Sequence, residues 1–308
     1  MKIITSGGRY LDIDAYAGCI AYAELLQQQG TDVQAVSLAT LNESIPAIVR
    51  GWNAPLVTEY TPSPNDTYTL IDVSEPEYFE SFVDANRIDE VIDHHPGLEE
   101  YWQERIGDRA TIEHVGAACT QVYEKWEQAG IADQISERSA GLLMCGILDN
   151  TLNFGAAITN QRDKHAYQQL EKLANLPHNW PAIYFEACGR SILQNLPHAI
   201  TNDLKVLKFR TFPHTIALGQ FAVWDAGSLA HESFDTFKQI LGDTEHYWAM
   251  NLISIGDNKS YIITDIPEIK EWFSDTLNLQ FDGNVAAADR TWLRKEIMKV
   301  DINKHAAV

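Results

Sequence analysis

Through its first half the sequence alternates short apolar runs with stretches of helical periodicity, and the joins between them are short. The run KIITS (2–6) leads into a helical stretch to about Gly30. DVQAVSL is followed by one near ESIPAIVRGW, YTLIDVS by one near PEYFESFV, and IDEVIDHH closes the series. Strands joined through helices pair in parallel, because a parallel neighbour requires a crossover connection where an antiparallel one needs only a tight turn. The expected fold is therefore α/β, with an N-terminal parallel sheet flanked by helices. Such a sheet brings the carboxyl ends of its strands to one edge, where ligands bind.

The pattern then changes twice. From Val115 to about Leu196 it is mostly helical, as in AACTQVYEKWEQAG and DKHAYQQLEKLA. From about Thr201, LKVLKFRTF and TIALGQFAVW read as adjacent strands and SFDTFKQIL as a helix. YWAMNLISIGDNKSYIITD reads as a hairpin turning at Gly256-Asp257-Asn258, and PEIKEWFSDTL and RTWLRKEIMKV close the chain. A length of 308 residues accommodates two domains. The expectation is a first domain over 1–195 and a smaller C-terminal α/β domain with a mixed sheet over 196–308.

Four segments put acids or histidines where a strand is expected to end: Asp12 and Asp14 after KIITS, Asp72 in TLIDVS, Asp93-His94-His95 in VIDHHPG, and Asp149 in LLMCGILDNTLNF. Any one of these aspartates taken alone reads more simply as a helix cap or turn residue, and paired histidines are commonly surface polar groups. Together they converge on one sheet edge. Several carboxylates in one place repel each other unless cations lie between them. Imidazole mixed with carboxylate suits manganese or a similar divalent ion, and a carboxylate shared by two ions is the geometry of two-metal hydrolysis. The residues thus point to a metal-dependent hydrolase acting on phosphate.

Charge narrows the partners. Asp and Glu number 43 against 23 Lys and Arg, a formal net charge of −20, which disfavours a nucleic-acid partner, since a polyanion is neutralised by Lys and Arg. A small anion handled through metal ions remains compatible with that charge. Cys19, Cys119, Cys145 and Cys188 are far apart in apolar contexts, as expected of buried reduced thiols in a cytoplasmic protein. No secretory signal is read at the N-terminus, and no apolar run approaches the ~18 residues of a membrane span.

These segments resemble, in order, the motifs of the DHH phosphoesterase superfamily. VIDHHPG resembles its signature and LDIDAYAGCIAYAELL its first motif, commonly His-x-Asn-Pro-Asp-x-Asp. TLIDVS resembles the second, EHVGAACTQVYEKW the small-residue helix after the signature, and GILDNTLNF the fourth. NDLKVLKF, ALGQFAVWDAGSL and WLRKEIMKV are similar to the C-terminal DHH-associated domain of manganese-dependent (family II) inorganic pyrophosphatases and the related exopolyphosphatases. The resemblance implies hydrolysis of pyrophosphate or short polyphosphate with one or two Mn2+ ions (or Co2+ or Mg2+) per chain. It also implies a site closing between two domains, and it allows a homodimer.

Carried over, Asp12 and Asp14 become ligands of separate ions, His94 a ligand of the second, and Asp72 a bridge that orients the attacking hydroxide. Asp93 supports an imidazole and His95 reaches phosphate. Arg294, Lys295 and Lys205 supply cations that clamp phosphate and leaving group. Read without the resemblance, Arg294 and Lys295 are a solvated face. Two departures stand out. Gly8 occupies the place of the first motif's histidine, with Arg9 beside it as a further phosphate contact. In the fourth motif the acid aligns with Asn150, so either the register slips and Asp149 ligates, as charge favours, or Asn150 offers an amide oxygen. The ion shared by Asp12 and Asp72 is then held more weakly or differently. Phosphodiester or nucleotide hydrolysis and an impaired phosphate-binding sensor are the alternative functions.

Overall fold

The computed structural model describes residues 1–306, and side chains through residue 302. Contacts divide it into two compact units, Met1–Pro181 and the chain from Ala182 onward. In the first, β1 (Lys2–Thr5), α1 (Ile13–Gln28), β2 (Val33–Ala35), α2 (Ala47–Arg50), β3 (Thr67–Ile71), β4 (Ile88–Asp93), α3 (Glu99–Ile106), β5 (Ala110–Ile112), α4 (Ala118–Gln128), α5 (Glu137–Thr151) and α6 (Gln161–Glu171) follow one another. The strands form one sheet in the order β2-β1-β3-β4-β5. Every pairing is parallel. Chain order reverses between β1 and β3, so that gap is the crevice where a ligand enters such a sheet.

Small residues explain the helix layer. Ala15, Ala17, Gly18, Cys19 and Ala21 of α1 are all buried, and α5 is buried along almost its whole length from Ser139 to Leu148. A helix without bulk on its faces lets a neighbour approach closely. A Cβ added at Gly146 would lie 2.4 Å from Cys119 Sγ and 3.1 Å from Asp14 Oδ1.

Two local expectations give way to tertiary contacts. The segment near PEYFESFV forms only a single 3₁₀ turn, Pro76–Tyr78. Its continuation is pinned instead by a bridge from Phe79 to Gly7 and by Glu80, whose Oε1 accepts from Ser37 Oγ and the amides of Leu38 and Ala39. Asp149 does not end a strand; LLMCGIL lies inside α5. A buried apolar run of that length has no period that separates helix from strand.

The second unit holds most of α7 (Trp180–Gln194), then α8 (Leu196–Asp203), β6 (Lys205–Lys208), β7 (Thr215–Val223), α9 (Gly227–Glu232), α10 (Phe234–Thr244), β8 (Trp248–Ser254), β9 (Lys259–Ile263), α11 (Pro267–Leu277), β10 (Val285–Ala287) and α12 (Arg294–Ala306). Its sheet, β10-β9-β8-β7-β6, is mixed: β7 and β8 are parallel and the other neighbours antiparallel. β8 and β9 make the expected hairpin, with Asn258 at φ +55. Apolar side chains fill both faces, Phe237, Leu241 and Met250 on one and Ile269, Phe273 and Ile297 on the other. No disulfide links the four buried cysteines. No described helix is long and apolar enough to cross a membrane.

Candidate metal centre

Asp72 follows β3 directly and sits at φ +61, in the left-handed region, its N–H donating to Ile92 O of β4 at 2.8 Å. Aspartate tolerates that conformation better than most side chains. The turn aims the carboxylate into the crevice, where the side chain is 5% exposed and Oδ1 has no hydrogen-bond partner. A buried carboxylate oxygen left unpaired is costly, and such atoms mark ion sites.

Two histidines face that oxygen. His94 Nε2 lies 3.3 Å from Asp72 Oδ1, without hydrogen-bond alignment, and 3.9 Å from Asp14 Oδ2. On the other side of its ring, Nδ1 lies 3.0 Å from the carbonyl of Val115. A carbonyl only accepts, so Nδ1 donates to it and Nε2 is the nitrogen that faces the acids, the one that would ligate a metal once its own proton is lost. His95 Nδ1 is 3.7 Å from Asp72 Oδ1 and 2.9 Å from Asp93 Oδ1. Asp93 ends β4 and also accepts the amides of His94 and His95, at 2.7 and 3.2 Å, which fixes the turn that carries both rings. Asp72, His94 and His95 each offer one ligand atom within 4.8 Å of the others.

The remaining acids come from α1. Asp12 caps the helix by accepting from Ala15 N at 2.9 Å. Asp14, fully buried, accepts from Ala118 N and Cys119 N at 2.8 Å each. It thus closes the N-terminus of α4 as an anion from another element, where the helix dipole favours negative charge. Asn150 of α5 donates Nδ2 to Asp14 Oδ2 at 2.5 Å.

Electrostatics record the crowding. Burial, then the charges of Asp14 and Asp12, push the Asp72 carboxyl up to about 7. Burial and Asp14 also raise Asp12. Burial opposes a charge on His94, yet Asp72 and Asp14 outweigh it and raise the imidazole to about 10. His95 is raised likewise against its burial, chiefly by Asp93. Asp93 is held low by His95 in spite of its own burial. No Lys or Arg among the described residues pairs with these four aspartates. The donor set, the fixed ring of His94 and the orphaned oxygen of Asp72 fit a divalent cation.

Other expected site residues stand elsewhere. Asp149 lies one residue before Asn150, about 100° round the helix, and its charge acts on Cys145; it is Asn150 that the structure brings to Asp14. Arg9 is exposed beside Gly8. In the second unit the Arg294 guanidinium is committed to the Asp203 carboxylate at 2.8 Å and to the carbonyls of Asp203 and Leu218 at 2.6 and 3.1 Å. Lys205 and Lys295 are exposed. Sequence reasoning missed the Val115 carbonyl, which leaves no trace in side-chain chemistry.

A parallel sheet with acids and histidines gathered at its switch point defines an α/β domain with a candidate metal site. Residues 2–147 match the model of the DHH family, N-terminal domain. Over most of its length the chain is similar to proteins named probable manganese-dependent inorganic pyrophosphatase. One, from Lactobacillus acidophilus, is 25% identical over 291 residues, covering 92% of each chain. Another, from Listeria monocytogenes, is 27% identical over 268 residues, 86% of this chain and 82% of that one. Among solved structures, a Methanococcus jannaschii protein provisionally named a family II inorganic pyrophosphatase shares the fold with TM-score 0.66 at 20% identity, over 98% of this chain and all of that one. An exopolyphosphatase-related protein from Bacteroides fragilis gives TM-score 0.53 at 14% identity, over 99% and 92% of the two chains.

Proposed function

We propose that this chain hydrolyses phosphoric anhydrides, pyrophosphate or short polyphosphate, using manganese or a similar divalent ion held by Asp72, His94 and the aspartates of α1. The observation that carries the reading is the unpaired, buried Oδ1 of Asp72 set against the Nε2 of His94 at a parallel-sheet switch point. The names of the relatives supply the substrate class and the metal.

Asp72, Asp12, Asp14 and His94 are the residues that would hold the metal, which would supply Lewis-acid polarisation of phosphate and a water of lowered pKa. Val115 holds the His94 ring with Nε2 toward the acids. His95, raised by Asp93 against its burial, presents an exposed ring suited to hydrogen-bonding a phosphate oxygen. Lys205, Lys295 and Arg9 are exposed cations suited to the remaining phosphate charge. Arg294 is already engaged by Asp203 and Leu218, which gives it a structural task beside any contact with phosphate.

Gly8 and Asn150, in place of a histidine and an acid, favour a second reading in which phosphate is bound and turned over slowly or not at all. Phosphate release with Mn2+ from pyrophosphate, tripolyphosphate and a bis-nitrophenyl diester separates the two. Release from the two anhydrides and not from the diester supports the proposal. Absence of release from all three, with metal bound, supports the sensor, and preference for the diester would replace anhydride hydrolysis by phosphodiester hydrolysis.

A further inference from the structure

The carbonyl that holds His94 belongs to a peptide with a second partner. His94 Nδ1 lies 3.0 Å from Val115 O, and the N–H of the same peptide, that of Gly116, donates to both oxygens of Asp163, at 3.0 and 3.1 Å. Asp163 stands on α6 and is fully buried. A carboxylate thus sits one peptide group behind the imidazole whose Nε2 faces Asp72 and Asp14.

This acid does more than cap a helix. It completes the cap of α6, where its Oδ2 accepts from Asn160 N at 2.8 Å and Asn160 in turn accepts from Arg162 N. Its other bonds leave that helix. Besides the Gly116 amide, Oδ1 accepts from Thr120 Oγ1 of α4 at 2.7 Å, so both oxygens are tied to the segment that follows Val115. That segment makes room for them. A Cβ on Gly116 would lie 2.7 Å from Asp163 Oδ2 and 2.6 Å from Thr151 Cγ2, and Gly116 is not in the left-handed region, so close approach and not backbone conformation requires the glycine. A peptide is a conjugated unit, and an anion at its N–H draws that proton and shifts electron density onto the carbonyl oxygen. The carbonyl of Val115 then accepts more strongly from Nδ1–H, which fixes the ring and makes Nε2, once deprotonated, a better donor to a cation.

We propose that Asp163 is a positioning residue of the metal centre: through the Val115–Gly116 peptide, its carboxylate orients the His94 ring and strengthens Nε2 as a metal donor. This rests on the metal-binding reading above. It extends the support of His94 from a neutral carbonyl to a buried anion on another helix.

Asp163→Asn keeps an oxygen that can accept from Gly116 and removes the charge. Asn160→Ala is the control, since it removes the other half of the α6 cap and leaves Asp163 at Gly116. Two quantities are read beside the melting temperature: the His94 Nδ1–H resonance of the metal-free full chain, assigned by its loss in His94→Ala, and Mn2+ affinity by electron paramagnetic resonance. The expected result is a downfield, slowly exchanging Nδ1–H that moves upfield in Asp163→Asn, with Mn2+ affinity weakened roughly tenfold or more. Asn160→Ala lowers the melting temperature and leaves both quantities unchanged. An unmoved resonance or unchanged affinity in Asp163→Asn overturns the proposal, and so does an Asn160→Ala that reproduces both effects. If Asp163→Asn does not fold, the unmodified chain decides: the Gly116 amide and His94 Nδ1–H protons are both expected downfield, and an ordinary shift at either overturns the proposal. Mn2+ bound by the full chain, lost in His94→Ala and kept in Asp163→Asn, overturns the role of Asp163 and leaves the metal reading standing. A full chain that binds no Mn2+ overturns both.

Discussion

Asp72 combines a left-handed backbone, a buried carboxylate and an oxygen without a partner, three features that each cost stability in the metal-free chain. Removing its charge should therefore separate stability from function. In chelated protein at pH 8, Asp72→Asn is expected to raise the melting temperature by on the order of 2–4 °C, because Asp12 and Asp14 no longer face a third anion. The same variant loses Mn2+-dependent phosphate release. A lower melting temperature without metal would mean that the carboxylate is satisfied as it stands. The pH dependence has a definite sign. Asp72 near 7 and His94 near 10 both hold protons in the folded state that the unfolded chain releases earlier. The stability they contribute is full at low pH and falls as pH rises, through Asp72 first and His94 later. Melting of chelated protein should thus drop between pH 6 and 9. With Mn2+ present the stabilisation grows over the same window, since ligands bind the metal deprotonated. A chelated protein that melts higher at pH 9 than at pH 6 would contradict these assignments.

Elements hold these residues through close helix contacts. α5 reaches Asp14 and Cys119 because Gly146 has no side chain. Gly146→Ala pushes a methyl group against Cys119 Sγ and toward the Asp14 carboxylate. It is expected to cost about 1–3 kcal/mol and to weaken Mn2+ binding as Asp14 shifts, measurable by denaturant unfolding and metal titration; an unchanged midpoint would show that α5 gives way freely. At this scale the sequence was most readable where period and chemistry agree. VIDHH reads as a strand running into paired histidines, and β4 does end at Asp93, with His94 and His95 beside Asp72. LLMCGILDN misleads because a buried helix and a buried strand look alike over seven apolar residues. The strand reading hid the fact that a helix, not a strand end, chooses between Asp149 and Asn150. The turn at Glu80 was hidden for a related reason: a helical reading of PEYFESFV concealed the pairing of Phe79 with Gly7.

For the whole molecule, the alternation of elements was enough to give the parallel sheet, and the change of pattern after Thr201 gave the mixed one. What could not be read was how each cation of the second unit is employed. Arg294 is bound to Asp203 and β7, whereas Lys295 is exposed, so the two should part company under mutation. Arg294→Ala is expected to lower the melting temperature of the chain, and Lys295→Ala to leave it within about 1 °C, as surface substitutions do, while raising KM for pyrophosphate. Equal effects of the two on melting would refute that division of labour. The net charge of −20 adds a reason for metal at the centre, since an anionic substrate meets an anionic protein and needs a local cation to bind. The most direct measurement is phosphate release from pyrophosphate by the full chain in Mn2+, after chelation, and after the metal is restored. The account predicts turnover that chelation abolishes and Mn2+ recovers. Turnover that survives chelation, or none in Mn2+ that is demonstrably bound, would contradict it.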